Sequence, residues 1–260
     1  KMWAYNRDKE QRYYNAHAGD YDFIYRWIAE HRRLFDGYET RAKVGLVYDF
    51  GAYIENEFQN LDVLAIAEYL VENNTPFHLL IAGNEAWPKF LHDSDQLNRI
   101  EALDFLVTSN LKHSMIDDAQ RYLLNAQGGK ALAWPFLDSE TDNRLPKVDV
   151  SVGKVYAFPR EKRTDARAPK VIHFVNHDFD ELAKKTRPKW GVAVAIDKHL
   201  FDREFSTALY HQPGKAALEL KITRVDGTYR VILPMIESWG LLELSTDPVA
   251  NPGASHITLR

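Results

Sequence analysis

The chain has no cysteine among its 260 residues. Disulfides, thiolate metal sites and cysteine nucleophiles are thereby excluded, although the compartment is not fixed by this alone. No apolar run approaches the roughly 20 residues that a membrane helix needs, so no membrane partner is expected. The formal charge is −4 and long basic runs are missing, so no nucleic acid is expected as a partner. An H-E-x-x-H pair, a Ser-His-Asp order and both glycine-rich nucleotide fingerprints are also lacking, and neither a cofactor nor a metal is expected. The opening stretch "KMWAYNRDKEQRYYNAHAGD" has no charged segment leading into an apolar core, so it does not read as a signal peptide. Without methionine at position 1, the chain is expected to begin inside a longer sequence.

What is present suits a globular protein: 45% hydrophobic and 27% charged residues, in a length that fits one large domain or two ordinary ones. Aromatics reach 12%, with 13 Tyr and 6 Trp. Rings in that number suit a protein that stacks sugars, and suit equally a large packed core.

Periodicity divides the chain. "YDFIYRWIAEHRRLFDG" carries Ile24, Trp27, Ile28, Leu34 and Phe35 on one helical face. This predicts a helix over 20–36, capped by Asp20 and stopped at Gly37, with no sheet before it for that face to cover. Apolar runs then alternate with helical ones. "AKVGLVYDFG", "FHLLIAG", "ALDFLVTSN" and "KALAWPF" read as buried strands, "NLDVLAIAEYLVENN" and "DDAQRYLLNAQGG" as helices. That order predicts a parallel α/β sheet in a flavodoxin-like or glutamine-amidotransferase-like three-layer domain, residues 38–146. From 147 to 260 the period becomes two, in "KVIHFVNHDFD", "WGVAVAIDK", "AALELKITR", "TYRVILP" and "SWGLLELS", which predicts an antiparallel β-sandwich with an irregular tail. "PREKRTDARAPK" reads as a solvated loop and Asp226-Gly227 as a hairpin turn.

"VIHFVNHDFD" concentrates His173, Asn176, His177, Asp178 and Asp180 in ten positions. On a strand His173 and His177 stand roughly 13 Å apart at about 3.3 Å per residue, too far to share one ion. The stretch reads as a strand whose polar end runs into a turn. The loop "YDFGAYIENEF" sits beyond the carboxyl end of the first parallel strand, where α/β folds place ligands. Asp49, Tyr53 and Glu57 are its possible contacts, and its acids exclude a phosphate cradle. Paired glycosidase carboxylates cannot be singled out among 37 acids.

In their order, "MWAYNRDKEQRYY", "YDFIYRWIAEHRRLFDGYE", "AKVGLVYD", "NAQGGKALAW", "VIHFVNHDFD" and "TYRVILPMIESWGLLEL" resemble the C-terminal portion of multidomain bacterial glycoside hydrolases. In these a catalytic (β/α)8 barrel is followed by an amidotransferase-like domain and a small β-sandwich, as in β-galactosidases of the GH42 type. The resemblance implies that residues 1–37 are the last strand, loop and helix of a barrel. Trp3, Tyr5 and Asn6 would then face a carbohydrate substrate. It implies further an accessory region without its own catalytic carboxylates, possible homo-oligomerisation, and a secreted or periplasmic protein. A glycan-binding or assembly module and a self-contained α/β enzyme stay open beside it.

Overall fold

The computed structural model describes residues 18–49, 57–82, 100–108, 130–133, 144–183 and 185–246. Helix α1 spans Ala18–Glu30 and leads through a 3-10 turn, Arg32–Leu34, into strand β1, Tyr38–Thr40. A parallel sheet follows, made of β2 (Val44–Asp49), β3 (Phe77–Ala82), β4 (Phe105–Thr108) and β5 (Ala131–Ala133), with helix α2 (Glu57–Glu72) between the first two.

The parallel sheet has the spatial order β3-β2-β4-β5, with β2 hydrogen-bonded in parallel to both neighbours. Both faces of β2 are buried, which is why its sequence runs apolar without alternation. On one face Val63, Ile66 and Leu70 of α2 pack against Val44, Leu46, Val107 and Leu145. On the other, Val47 packs with Leu80, Ile100, Leu103 and Leu106. Gly45 is needed there, since a Cβ would lie 2.7 Å from the side chains of both Leu103 and Leu80. The helix expected over "DDAQRYLLNAQGG" lies outside the described residues.

Helix α2 ends where Asn74 turns left-handed, at φ 51°. The amide of Asn74 donates to Val71 O, and that of Thr75 to Leu70 O, which satisfies carbonyls the helix would leave free.

The rest of the described chain is antiparallel: β6 (Val148–Val150), β7 (Val155–Lys162), β8 (Lys170–Asn176), β9 (Phe179–Asp180), β10 (Lys185–Thr186), β11 (Lys189–Asp197), β12 (Thr207–His211), β13 (Leu218–Leu220), β14 (Thr223–Val225), β15 (Thr228–Ile236) and β16 (Trp239–Ser245). A six-stranded sheet, β1-β7-β8-β16-β12-β13, faces a four-stranded one, β14-β15-β11-β6. One core lies between them, with Ile172, Phe174, Tyr210, Leu242 and Leu244 from the first sheet against Val192, Val194, Ile196, Val231 and Leu233 from the second.

Several sequence expectations change at this level. Helix α1 is shorter than 20–36 at its C-terminal side, and its apolar face is not left open. Trp27, Leu34 and Tyr38 form a core with Val171 and Leu241 on the outer side of the six-stranded sheet. Residues Tyr38–Thr40, placed with the α/β unit by the sequence, pair with β7 instead. Strand β7 also runs through Pro159–Lys162, the first third of the expected loop. "AALELKITR" divides into β13 and β14, which belong to different sheets. The Asp226-Gly227 hairpin forms as read, with φ 48° and 79° and Val225 opposite Thr228.

Candidate functional site

Strand alternation puts Ile172, Phe174, Leu242 and Leu244 inside and the intervening side chains on the outer face. Cross-strand register builds two outer rows there. One holds His173, Leu241 and His211, the other Val171, Glu243 and Leu209. A carboxylate in such a place needs partners before it can be buried. Glu243 is 3% exposed and receives both ends of the Arg33 guanidinium, at 2.5 and 2.8 Å, together with His211 Nε2 at 2.9 Å. Burial alone would raise its pKa, but the hydrogen bonds from His211 and Arg33 and their charges hold it at about 2. Glu243 is therefore a fixed acceptor and does not act as a proton donor near neutral pH. It clamps the turn after α1 onto the sheet. Tyr38 adds a second tie by donating to Pro169 O at 2.8 Å, and burial pushes its phenol up to about 12.

Aromatic rings fill the space beside the clamp. Trp27 stacks on His31 and meets Phe35 and Trp239 edge-on, while Trp239 lies parallel to His173. Trp239 Nε1 donates to His173 Nδ1 at 3.3 Å. This contact makes Nδ1 the acceptor and leaves the ring neutral. Burial, helped by the Arg160 charge, lowers the His173 pKa to about 4. Two buried ring nitrogens, His173 Nε2 and His211 Nδ1, have no hydrogen-bond partner.

In front of this cluster is a pocket of about 200 Å³. Phe23 and Ile24 of α1, Gln212, Pro213 and Lys215 after β12, and Glu237, Ser238 and Trp239 at the β15–β16 turn line it. An aromatic wall with a few hydrogen-bonding groups is a general form for a small-molecule site. Phe23 is 47% exposed. Lys215 and Glu237 face each other at 3.8 Å across the rim, within reach of a ligand's hydroxyl groups. The described lining holds one carboxylate, Glu237, whereas glycosidic hydrolysis ordinarily uses two. The arrangement can bind and orient a polar ring, and its described residues include no acid–base pair.

The residues singled out from sequence fall elsewhere. Trp3, Tyr5, Asn6 and Tyr53 lie outside the described residues. Asp49 is the last residue of β2, opposite Ala82 of β3, and Glu57 is the first of α2. "VIHFVNHDFD" is strand β8 followed by the two residues of β9. His173 joins the aromatic cluster, while His177 meets Tyr156. Asn176 Nδ2 donates to Arg187 O and Glu237 O, and Asp178 pairs with Lys189, Lys154 and Arg187. Those polar residues organise turns. Among the described residues no three His, Asp or Glu side chains are grouped to hold a metal, and no helix is long and apolar enough to cross a membrane.

Sequence reading missed Trp239, Lys215, Glu237, Arg33, His211 and Glu243. The one available signal was "ESWG", a tryptophan entering a strand directly after a turn.

No family model matches the chain. Two solved structures overlap it loosely and carry no weight here. They are alpha-L-fucosidase isoenzyme 2 from Paenibacillus thiaminolyticus, TM-score 0.49 and 8% identity over 86% of this chain and 51% of that one, and a cycloisomaltooligosaccharide glucanotransferase from Paenibacillus sp., TM-score 0.30 and 14% identity over 37% and 16%. Two curated proteins are similar along most of the sequence. The alpha-agarase of Thalassotalea agarivorans is 28% identical over 239 residues, and that of Alteromonas agarilytica 26% over 237. The similarity covers 88% of this chain and spans 16% of each alpha-agarase.

Proposed function

We propose that the chain is an accessory, carbohydrate-contacting region of a larger agar-degrading glycoside hydrolase, without a complete catalytic site of its own. The observation that carries this is the similarity to two alpha-agarases over 88% of the chain. The Trp239 pocket supports it, with aromatic walls and the Lys215–Glu237 rim offered to a sugar ring. On this reading the protein is secreted or periplasmic.

The architecture of the resembled hydrolases is part of the proposal. In chain order the parallel strands lie 2-1-3-4, which agrees with the start of the flavodoxin-type order and supports an amidotransferase-like domain over residues 38–146. The core shared by the two antiparallel sheets supports a β-sandwich over 147–260. That residues 1–37 end a catalytic barrel, with Trp3, Tyr5 and Asn6 toward its substrate, rests on the sequence resemblance alone. The apolar face of α1 gives it no further support, since Trp27 and Leu34 are covered by the six-stranded sheet. Asp49, Tyr53 and Glu57 are proposed as secondary contacts.

The test is retardation of the 260-residue chain in native gels containing agarose, beside an assay for reducing ends released from agar. Expected are retardation, its weakening by Trp239→Ala or by the rim pair Lys215→Ala and Glu237→Ala, and no release of reducing ends. Hydrolysis that survives repurification would sink the accessory role, and absence of retardation would sink the carbohydrate contact.

A further inference from the structure

The outer face of the four-stranded sheet carries a second, larger groove, about 650 Å³ in volume. Register explains its shape. Ala195 of β11 stands between Asp149 of β6 and Arg230 of β15, and Thr223 of β14 lies beyond Arg230. In the next outward row Ala193 pairs with Ile232, and the Ser151 hydroxyl accepts from the Ala193 amide at 2.9 Å. The two alanines are a low floor. Asp149 and Ser151 form one wall, Arg230 and Ile232 the other. The walls stand two strand spacings apart, roughly 10 Å, the width of one extended polymer chain.

The charge of this groove departs from that of the whole protein. Lys221 and Arg230 line it and have no acidic partner among the described residues. Among the described residues its lining holds one acid, Asp149, which lies 4.0 Å from Lys147. A chain of net charge −4 thus presents a local positive excess along a groove.

We propose that this groove binds a single strand of an anionic polysaccharide, whose sulfate or carboxylate groups pair with Arg230 and Lys221. The choice of a glycan rests on the function proposed above; the anionic character rests on the groove. A guanidinium fork matches such oxyanions in two parallel hydrogen bonds. Nucleic acid fits less well, because single strands are held by stacking on aromatic rings and, among the described residues, no aromatic side chain lines the groove. Ile232, 65% exposed, supplies apolar contact for a sugar ring without making the face a hydrophobic interface.

The experiment is native affinity electrophoresis of the 260-residue chain in gels containing carrageenan (sulfated), polygalacturonate (carboxylated) or agarose. Retardation by at least one anionic polymer is expected, and which polymer retards identifies the anionic group. The double variant Arg230→Gln, Lys221→Gln should weaken that retardation about tenfold or more, as expected for lost charge-assisted bonds, with an unchanged melting temperature. Trp239→Ala should leave it intact, whereas agarose retardation should respond to Trp239 and not to the double variant. The two proposals therefore fail separately. The groove assignment is overturned if neither anionic polymer retards the protein, if the double variant is retarded as strongly, or if polyglutamate or DNA retards it equally.

Discussion

Asn74 Oδ1 accepts the backbone amide of Ala157 at 2.7 Å, across 83 positions of the chain. The same side chain donates from Nδ2 to Val155 O at 3.3 Å, and Val148 N donates to Asn74 O at 3.1 Å. One residue thereby closes α2 and fastens the parallel sheet to β6 and β7. Asparagine suits both tasks, since it tolerates a left-handed backbone and carries a donor and an acceptor.

Asn74→Gly should keep the backbone turn and lose the two side-chain bonds, destabilising by about 1–3 kcal/mol at roughly 0.5–1.5 per bond. Asn74→Ala should be worse by about 1 kcal/mol, because alanine resists the left-handed conformation. Urea melts of both variants check this, and equal stability of the two would show that backbone strain is not a factor.

Glu243 is held by Arg33 and His211 under the turn after α1. Glu243→Ala should destabilise by about 1–3 kcal/mol, the scale for lost hydrogen bonds to a charged group, because the half-exposed Arg33 left behind stays solvated. Arg33→Ala should cost more, about 3–5 kcal/mol, since it leaves the carboxylate buried with half its partners. Each single variant and the double can be compared by chemical denaturation. Additive losses would show that Arg33 and Glu243 do not act as a unit.

Stability should fall in two stages as the solution is acidified. His173 titrates at about 4 in the fold against about 6.5 when unfolded, so between those values the unfolded chain binds the extra proton and stability declines as pH falls. Glu243, at about 2 in the fold, adds a second loss below its ordinary value near 4.5. The stabilising effect of the ionised carboxylate is complete above that value and gone once the pH passes below about 2. Melting temperatures of His173→Gln followed from pH 7 to 4 should show a flatter profile than the parent. An unaltered slope would contradict the assignment.

Gly240→Ala should disrupt the core between the two antiparallel sheets. A Cβ there would lie 2.1 Å from Tyr210 Oη, whose hydroxyl donates to Met235 O at 2.8 Å. Overpacking of this kind is destabilising by about 1–3 kcal/mol or more. Gly153→Ala is the control, with nothing within 4 Å of the added methyl and an expected change within about 0.5 kcal/mol. Thermal melts of both test the contrast.

Local pattern alone determined the parallel strands β2 to β5, the existence of β8 and β16, the alternation of β15, the Asp226-Gly227 turn and the structural character of "VIHFVNHDFD". Each follows from periodicity or backbone preference over a few residues, which a linear reading can see. The extent of β7, the division between β13 and β14, and the attachment of Tyr38–Thr40 were decided by pairing with distant strands. So was the cover over Val171 and Leu241. A strand buried on both faces reads as apolar throughout, and nothing local says whether a helix or a second sheet lies over its outer side. The pocket at Trp239, the grip of Arg33 on Glu243 across 210 positions and the groove between Asp149 and Arg230 exist only once the strands are in register. Their chemistry depends on distance and burial, which tertiary structure creates and sequence spacing does not encode.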